Sequence, residues 1–85
     1  MIFVPALVDD LPDLLAIESA SFAQPWAQVS FLSELGKVPP SLYVLRRETP
    51  SCILGYICFW LVADEIQILN LAVHPDYRNR DWAAS

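Results

Sequence analysis

The side chains of this sequence that could take part in chemistry fall in two places. The first is Glu18, inside the apolar helical repeat Leu11, Leu14, Leu15 and Phe22. An ionised carboxylate is costly to bury there without a partner. It reads either as a carboxylate facing a cleft or as a half-exposed one paired with a basic side chain. Ser21-Phe22-Ala23-Gln24-Pro25-Trp26 follows directly, an aromatic connection between two helical patterns. Phe22 and Trp26 suit the wall of a substrate groove, and Trp26 suits a core plug equally well. The second place is Asn70 to Arg80, where an aliphatic strand runs into His74-Pro75-Asp76-Tyr77-Arg78-Asn79-Arg80.

The remaining polar residues have plainer readings. His74, the single histidine, precedes a proline at a strand end and reads as an exposed loop residue. Asp64-Glu65 reads as a tight turn with solvated charges. There is no Gly-rich nucleophile elbow, no CxxC and no HExxH, so hydrolytic and metal chemistry are not expected and no metal ligand is assigned. Cys52 and Cys58 lie on one extended run, about 20 Å apart. A disulfide needs Cα atoms within about 7 Å, so the pair is expected as plain core thiols in a reducing, cytoplasmic compartment.

These residues need elements to position them. Ile2 to Ala6 is a short strand, and Asp9 or Asp10 offers an N-cap for a helix that tolerates Pro12 in its first turn and ends at Pro25. A second helix from Trp26 to Leu35 would place Val29, Phe31, Leu32 and Leu35 along one side, with Gly36 as its C-cap. Ser41 to Arg47, Cys52 to Ala63 and Ile66 to Val73 read as three strands of an antiparallel meander, joined at Glu48-Thr49-Pro50-Ser51 and Asp64-Glu65. The order is strand, helix, helix and three strands, an α/β (α+β) arrangement with a mainly antiparallel sheet.

Composition bounds what this arrangement does. The chain has 85 residues, 55% hydrophobic and 12% aromatic, with 10 acidic against 5 basic side chains and a net charge of -5. Disorder is not expected of so apolar a chain, and the acidic field disfavours nucleic acid as a partner. The start has no basic segment ahead of an apolar run, so secretion is unsupported. The longest apolar run, Ile53 to Ala63, is too short for a membrane span. One small domain of this size carries more apolar surface than it can bury alone, which implies either a partner or a missing remainder.

Asn70-Leu71-Ala72-Val73-His74-Pro75-Asp76-Tyr77-Arg78 resembles the strand end of the GNAT acetyltransferases, N-L-A-V-x-P-x-Y-R, which leads to a pyrophosphate loop R/Q-x-x-G-x-G/A. Ile17-Glu18, Ser21-Phe22, Pro25-Trp26, Phe31, Glu34-Leu35 and Gly55-Tyr56-Ile57 ahead of Asp64-Glu65 are similar to the ribosomal-protein alanine N-acetyltransferase (RimI-like) branch. The resemblance implies the N-terminal half of the acyl-CoA N-acyltransferase fold. It also implies transfer of an acetyl group from acetyl-CoA to a protein N-terminal α-amino group by direct attack. Leu71, Ala72 and Val73 would meet the pantetheine arm through their main chain, in the manner of strand addition. Arg78 and Arg80 would lie at the pyrophosphate loop, where glycine allows close approach and a helix N-terminus favours the anion.

The chain departs from the family at its last residues. Asp81 stands at the glycine position and only Ala83 fits the G/A site. The family's general acid and base, a Glu and a Tyr, belong to the other half, so no catalytic residue is assigned. The expectation is one truncated domain, family-like over residues 1–80 with a tail at 81–85, inactive as it stands. A coding stretch for Arg-Gly-Ile-Gly-Arg-Gln that loses two guanines reads Arg80-Asp81-Trp82-Ala83-Ala84-Ser85, so a shifted reading frame is expected after Arg80. The rival expectation is a non-enzymatic interaction module. In either case the open edge at Ile66 to Val73 is expected to form homo-oligomers, with Leu69, Leu71 or Val73 near the contact.

Overall fold

A computed structural model describes residues 1–77. Arg78, Arg80 and the tail at 81–85 lie outside the described residues. Strand β1 (Ile2–Pro5) is followed by a 3-10 turn (Val8–Asp10), helix α1 (Leu11–Ser21) and helix α2 (Gln28–Leu35). Strands β2 (Leu42–Glu48), β3 (Ser51–Val62) and β4 (Glu65–Val73) complete one antiparallel sheet, ordered β1-β2-β3-β4. The expected element order and meander are therefore present.

Local details differ from expectation for identifiable reasons. Asp10 precedes α1 but does not cap it with its side chain. Its Oδ2 accepts the Leu7 N–H at 2.9 Å, closing the 3-10 turn, and its Oδ1 holds the Arg46 guanidinium at 2.7 Å. Helix α1 ends at Ser21, ahead of Pro25, because Phe22 turns to extended backbone while its N–H still donates to the Glu18 carbonyl. Helix α2 starts at Gln28 instead of Trp26, and Gly36 is its C-cap.

The face of α2 also differs from expectation. Val29 is 70% and Leu32 41% exposed, while Phe31 and Glu34 are buried and Leu35 is half-buried. What turns the helix is a polar anchor, since Glu34 reaches Ser41, Trp60 and Lys37. An apolar count along an eight-residue helix cannot anticipate that anchor. The turn between β3 and β4 is Ala63-Asp64, one residue earlier than expected, with φ of 49° and 68° and Val62 paired to Glu65. Positive φ at both central residues is the twist-matched geometry of a two-residue hairpin.

The sheet carries two irregularities. Leu45 faces Gly55 while Arg46 faces Ile53, so Leu54 is the extra residue of β3. Cys58 faces Asn70 while Phe59 faces Ile68, so Leu69 is the extra residue of β4. Each such bulge bends its strand and re-aims the side chains beside it.

The core lies between the helices and one sheet face. It joins Leu11, Leu14 and Ile17 of α1 and Phe31 of α2 to Leu42, Val44, Ile53, Tyr56, Cys58 and Ala72. The other face presents Tyr43-Ile57-Leu71, Phe59-Ile68 and Leu61-Ile66 as cross-strand rows. No helix is long and apolar enough to cross a membrane among the described residues.

Candidate functional site

Glu18 ends the buried stripe of α1, where the helix meets the edge of β4. It is 1% exposed. Its Oε2 accepts the backbone N–H of Trp26 at 2.8 Å, and its Oε1 accepts Asn70 Nδ2 at 2.7 Å together with the Tyr56 hydroxyl. The partners are neutral donors from three segments, so neither a cleft-facing carboxylate nor a half-exposed ion pair describes it. Charge-accepting hydrogen bonds of this kind compensate burial without a countercharge. Burial and the adjacent Glu18 push the Tyr56 phenol well above its ordinary range. The hydroxyl is thereby kept as a donor.

Asn70 connects this cluster to the strand edge. It follows the bulge residue Leu69, and its Oδ1 accepts the N–H of Leu71 at 3.0 Å. Main-chain groups in an antiparallel ladder alternate between facing the neighbour and facing away. The His74 N–H donates to the Leu54 carbonyl, and by this alternation Ala72 faces β3 while Leu71 and Val73 turn to the outer edge. Gly55 allows the strands this close, since a Cβ there would stand 2.8 Å from the Ala72 carbonyl oxygen.

Of the expected site residues, the fold brings Phe22 to Leu71, Ala72 and Val73. With Ser21 they line an open cleft of about 340 Å³ between the end of α1 and β4. Ala72 is buried beneath it and Leu71 is 55% exposed. Trp26 is half-buried and packs its ring on Phe31, centroids 5.2 Å apart, which is the core-plug alternative. Its backbone, not its ring, reaches Glu18. Arg78 and Arg80 lie outside the described residues. His74 accepts the Asp76 N–H at Nδ1, an ordinary loop role. Cys52 and Cys58 are both free, but only Cys58 is in the core; Cys52 is half-buried with its sulfur 3.7 Å from the Tyr77 hydroxyl.

A second buried carboxylate escaped sequence reasoning. Glu34 Oε1 accepts Ser41 Oγ at 2.8 Å and Trp60 Nε1 at 2.9 Å, and its Oε2 pairs with Lys37 at 3.1 Å. Lys37 also lies over the Trp60 ring, 4.1 Å from its centroid. The signal was available, because Glu34 falls three residues after Phe31 just as Glu18 falls four after Leu14. Burial, then the neighbouring Glu34, pushes the Cys58 thiol up to about 12, so it is an inert core thiol.

Burial works to raise the Glu34 carboxyl, but the bonds from Trp60, Ser41 and Lys37 outweigh it and hold the group below its ordinary 4.5. A depressed folded value adds stability that is complete above the unfolded value and lost as pH falls through the folded one. Glu34→Gln is therefore expected to flatten the decline in stability as pH falls below the ordinary carboxyl value of 4.5. Urea titrations across that range check this, and equal acid slopes for parent and variant would contradict it.

The sequence profile of the acetyltransferase (GNAT) family matches residues 11–84. A protein of Bacillus subtilis (strain 168) described as a putative [ribosomal protein bS18]-alanine N-acetyltransferase is 36% identical over 73 residues, 86% of this chain and 48% of that protein. The crystal structure of the ribosomal-protein-S18-alanine N-acetyltransferase from Escherichia coli superposes with a TM-score of 0.72 at 26% identity, over 92% of this chain and 48% of that one. The GphF GNAT-like decarboxylase in complex with isobutyryl-CoA superposes at 0.80 with 20% identity, over 99% of this chain and 54% of that one, a likeness of fold alone. The chain thus spans about half the length of the relatives it matches. Because the profile match begins at the first residue of α1 and runs through the bulged strand and its cleft, the chain belongs to the acetyltransferase (GNAT) family.

Proposed function

We propose that this chain forms the acyl-CoA-binding half of an N-acetyltransferase that transfers an acetyl group from acetyl-CoA to a protein N-terminal α-amino group. The observation that carries the reading is the outer edge of β4, where Leu71 and Val73 turn their main chain outward beside a cleft lined by Ser21 and Phe22. An extended, amide-bearing pantetheine arm fits such an edge as an added strand would. Acetyl-CoA brings the activated thioester. The amine nitrogen attacks its carbonyl carbon, a C–N bond forms, the C–S bond breaks, the thiolate leaves with CoA, and the amine proton passes to a base outside the described residues. The names of the relatives support an N-terminal alanine of a ribosomal protein as the acceptor. Two unpaired cysteines fit a cytoplasmic setting.

Asp81 places a carboxylate where the family's loop has glycine, so the 85-residue chain is inactive and binds acetyl-CoA weakly. Calorimetry is expected to give a Kd no tighter than about 1 mM, and Asp81→Gly to tighten it by about tenfold. Micromolar binding with turnover on an N-terminal alanine peptide would contradict the inactivity. If saturating acetyl-CoA moves neither the Leu71 nor the Val73 amide resonance in parent or Asp81→Gly, the acyl-CoA reading itself fails.

The outer sheet face favours self-association as a second property. Leu61, Ile66, Ile68 and Leu71 are all exposed there, and Leu69 lies beside them. Four strands spaced about 4.8 Å and averaging about 26 Å in length present about 500 Å² per copy, so two copies bury about 1,000 Å², the lower end of specific interfaces. Sedimentation at high micromolar concentration is expected to show dimers or larger species, and a strictly monomeric boundary would rule this out.

A further inference from the structure

We infer that Glu18 is a positioning residue that ties the connection at 22–27 to the outer edge of β4, and that only a carboxylate can do this. The inference deepens the acyl-CoA reading above, since it joins the connection between the two helices to the strand assigned to pantetheine. Its basis is the polarity of the hydrogen bonds, which fixes what each atom of the cluster must be.

The relay begins at the Trp26 N–H, which donates to Glu18 Oε2. Oε1 accepts Asn70 Nδ2, and with its amide so oriented Asn70 Oδ1 accepts the Leu71 N–H. Both ends of the relay are main-chain donors, so the group between them must accept on both sides. A carboxylate does. A glutamine at this position has one acceptor and one donor. If its oxygen faces Asn70, its NH₂ confronts the Trp26 N–H and the connection is released. With its oxygen facing Trp26, its NH₂ forces the Asn70 amide to turn over, and Asn70 then presents NH₂ to the Leu71 N–H. Either arrangement satisfies one end and leaves two donors facing each other at the other end. Tyr56 donates into the same oxygen without belonging to the relay, which makes Tyr56→Phe a natural control.

The test is native-state amide hydrogen exchange by NMR on the full chain. Trp26 and Leu71 are compared with the slowest amides of β2 and β3, which report global opening. In the parent both amides are expected to be protected. In Glu18→Gln, one of the two is expected to exchange at least about tenfold faster relative to the reference amides, while the other keeps its protection. Tyr56→Phe is expected to change neither relative to the reference.

The inference is overturned if both amides keep parental protection in Glu18→Gln, if both change only in proportion to the reference amides, or if Tyr56→Phe gives the same selective loss. Should Glu18→Gln fail to fold, Asn70→Ala decides: Leu71 alone is expected to lose protection, and loss at both or neither amide overturns the relay. An acetyl-CoA arm separates this from the acyl-CoA reading. A ligand-dependent shift at Leu71 that carries to Trp26 in the parent but not in Glu18→Gln supports the coupling, and a shift that carries equally in both refutes it. Absence of any shift at Leu71 in both the parent and Asp81→Gly counts against the acyl-CoA reading alone, and the exchange measurements then decide the relay.

Discussion

Glu18→Ala is expected to cost about 4 kcal/mol of stability. The substitution leaves the Trp26 N–H, the Tyr56 hydroxyl and the Asn70 amide without their shared acceptor in a buried site. Each buried donor left unpaired costs about 1 to 3 kcal/mol, and water entering the vacated volume recovers part of the total. A domain of this size has only about 4 to 13 kcal/mol to lose, so the variant is expected to be largely unfolded near physiological temperature. Urea denaturation measures the loss directly. A loss below about 1 kcal/mol would mean that the cluster is solvated and that its hydrogen bonds are not what holds α1, β3 and β4 together.

Gly55→Ala is the second large effect, expected at about 2 to 3 kcal/mol, with Gly55→Val costing more. The reason is steric and local. The added methyl would meet the Ala72 carbonyl oxygen at 2.8 Å and the Val73 Cα at 3.4 Å, both of them backbone atoms that cannot swing aside. Relief requires β4 to move away from β3, which displaces the strand assigned to the pantetheine arm. Gly36 supplies the control, because nothing lies within 4 Å of a Cβ built there and its backbone is right-handed helical. Gly36→Ala is therefore expected to leave the denaturation midpoint unchanged or slightly raised. Equal behaviour of the two glycine variants would show that close approach of β3 and β4 is not what Gly55 provides.

The two effects share a location. Glu18 reaches β4 from the helix side through Asn70, and Gly55 lets β3 lie close against Ala72 and Val73. Damage at either position reaches the segment from Leu69 to Val73, whose bulge and outer edge carry the functional reading. Stability and the proposed acyl-CoA contact are therefore not separable by substitution there, whereas Glu34 serves the opposite part of the helix–sheet interface through Ser41 and Trp60.

What the sequence determined by itself was the order of elements, the antiparallel meander, the family and the residues of the cleft strand. These follow from signals that are local in the chain. Alternating or continuous apolar runs at Ser41 to Arg47, Cys52 to Ala63 and Ile66 to Val73, punctuated by Pro50 and Asp64, leave few alternatives to paired strands. The words around Ile17-Glu18 and Asn70 to Arg78 carry the family whatever the packing. Tertiary structure alone decided which way the short helix α2 faces, the bulges at Leu54 and Leu69, the inward-facing Glu18, and the closeness of Phe22 to Leu71. The physical reason is separation along the chain. The Glu18 partners Tyr56 and Asn70 are 38 and 52 residues away, and the Glu34 partner Trp60 is 26 away. A carboxylate in an apolar stripe announces that it needs donors, but only the folded sheet determines which donors arrive and whether the group then faces a cleft or is sealed beneath one.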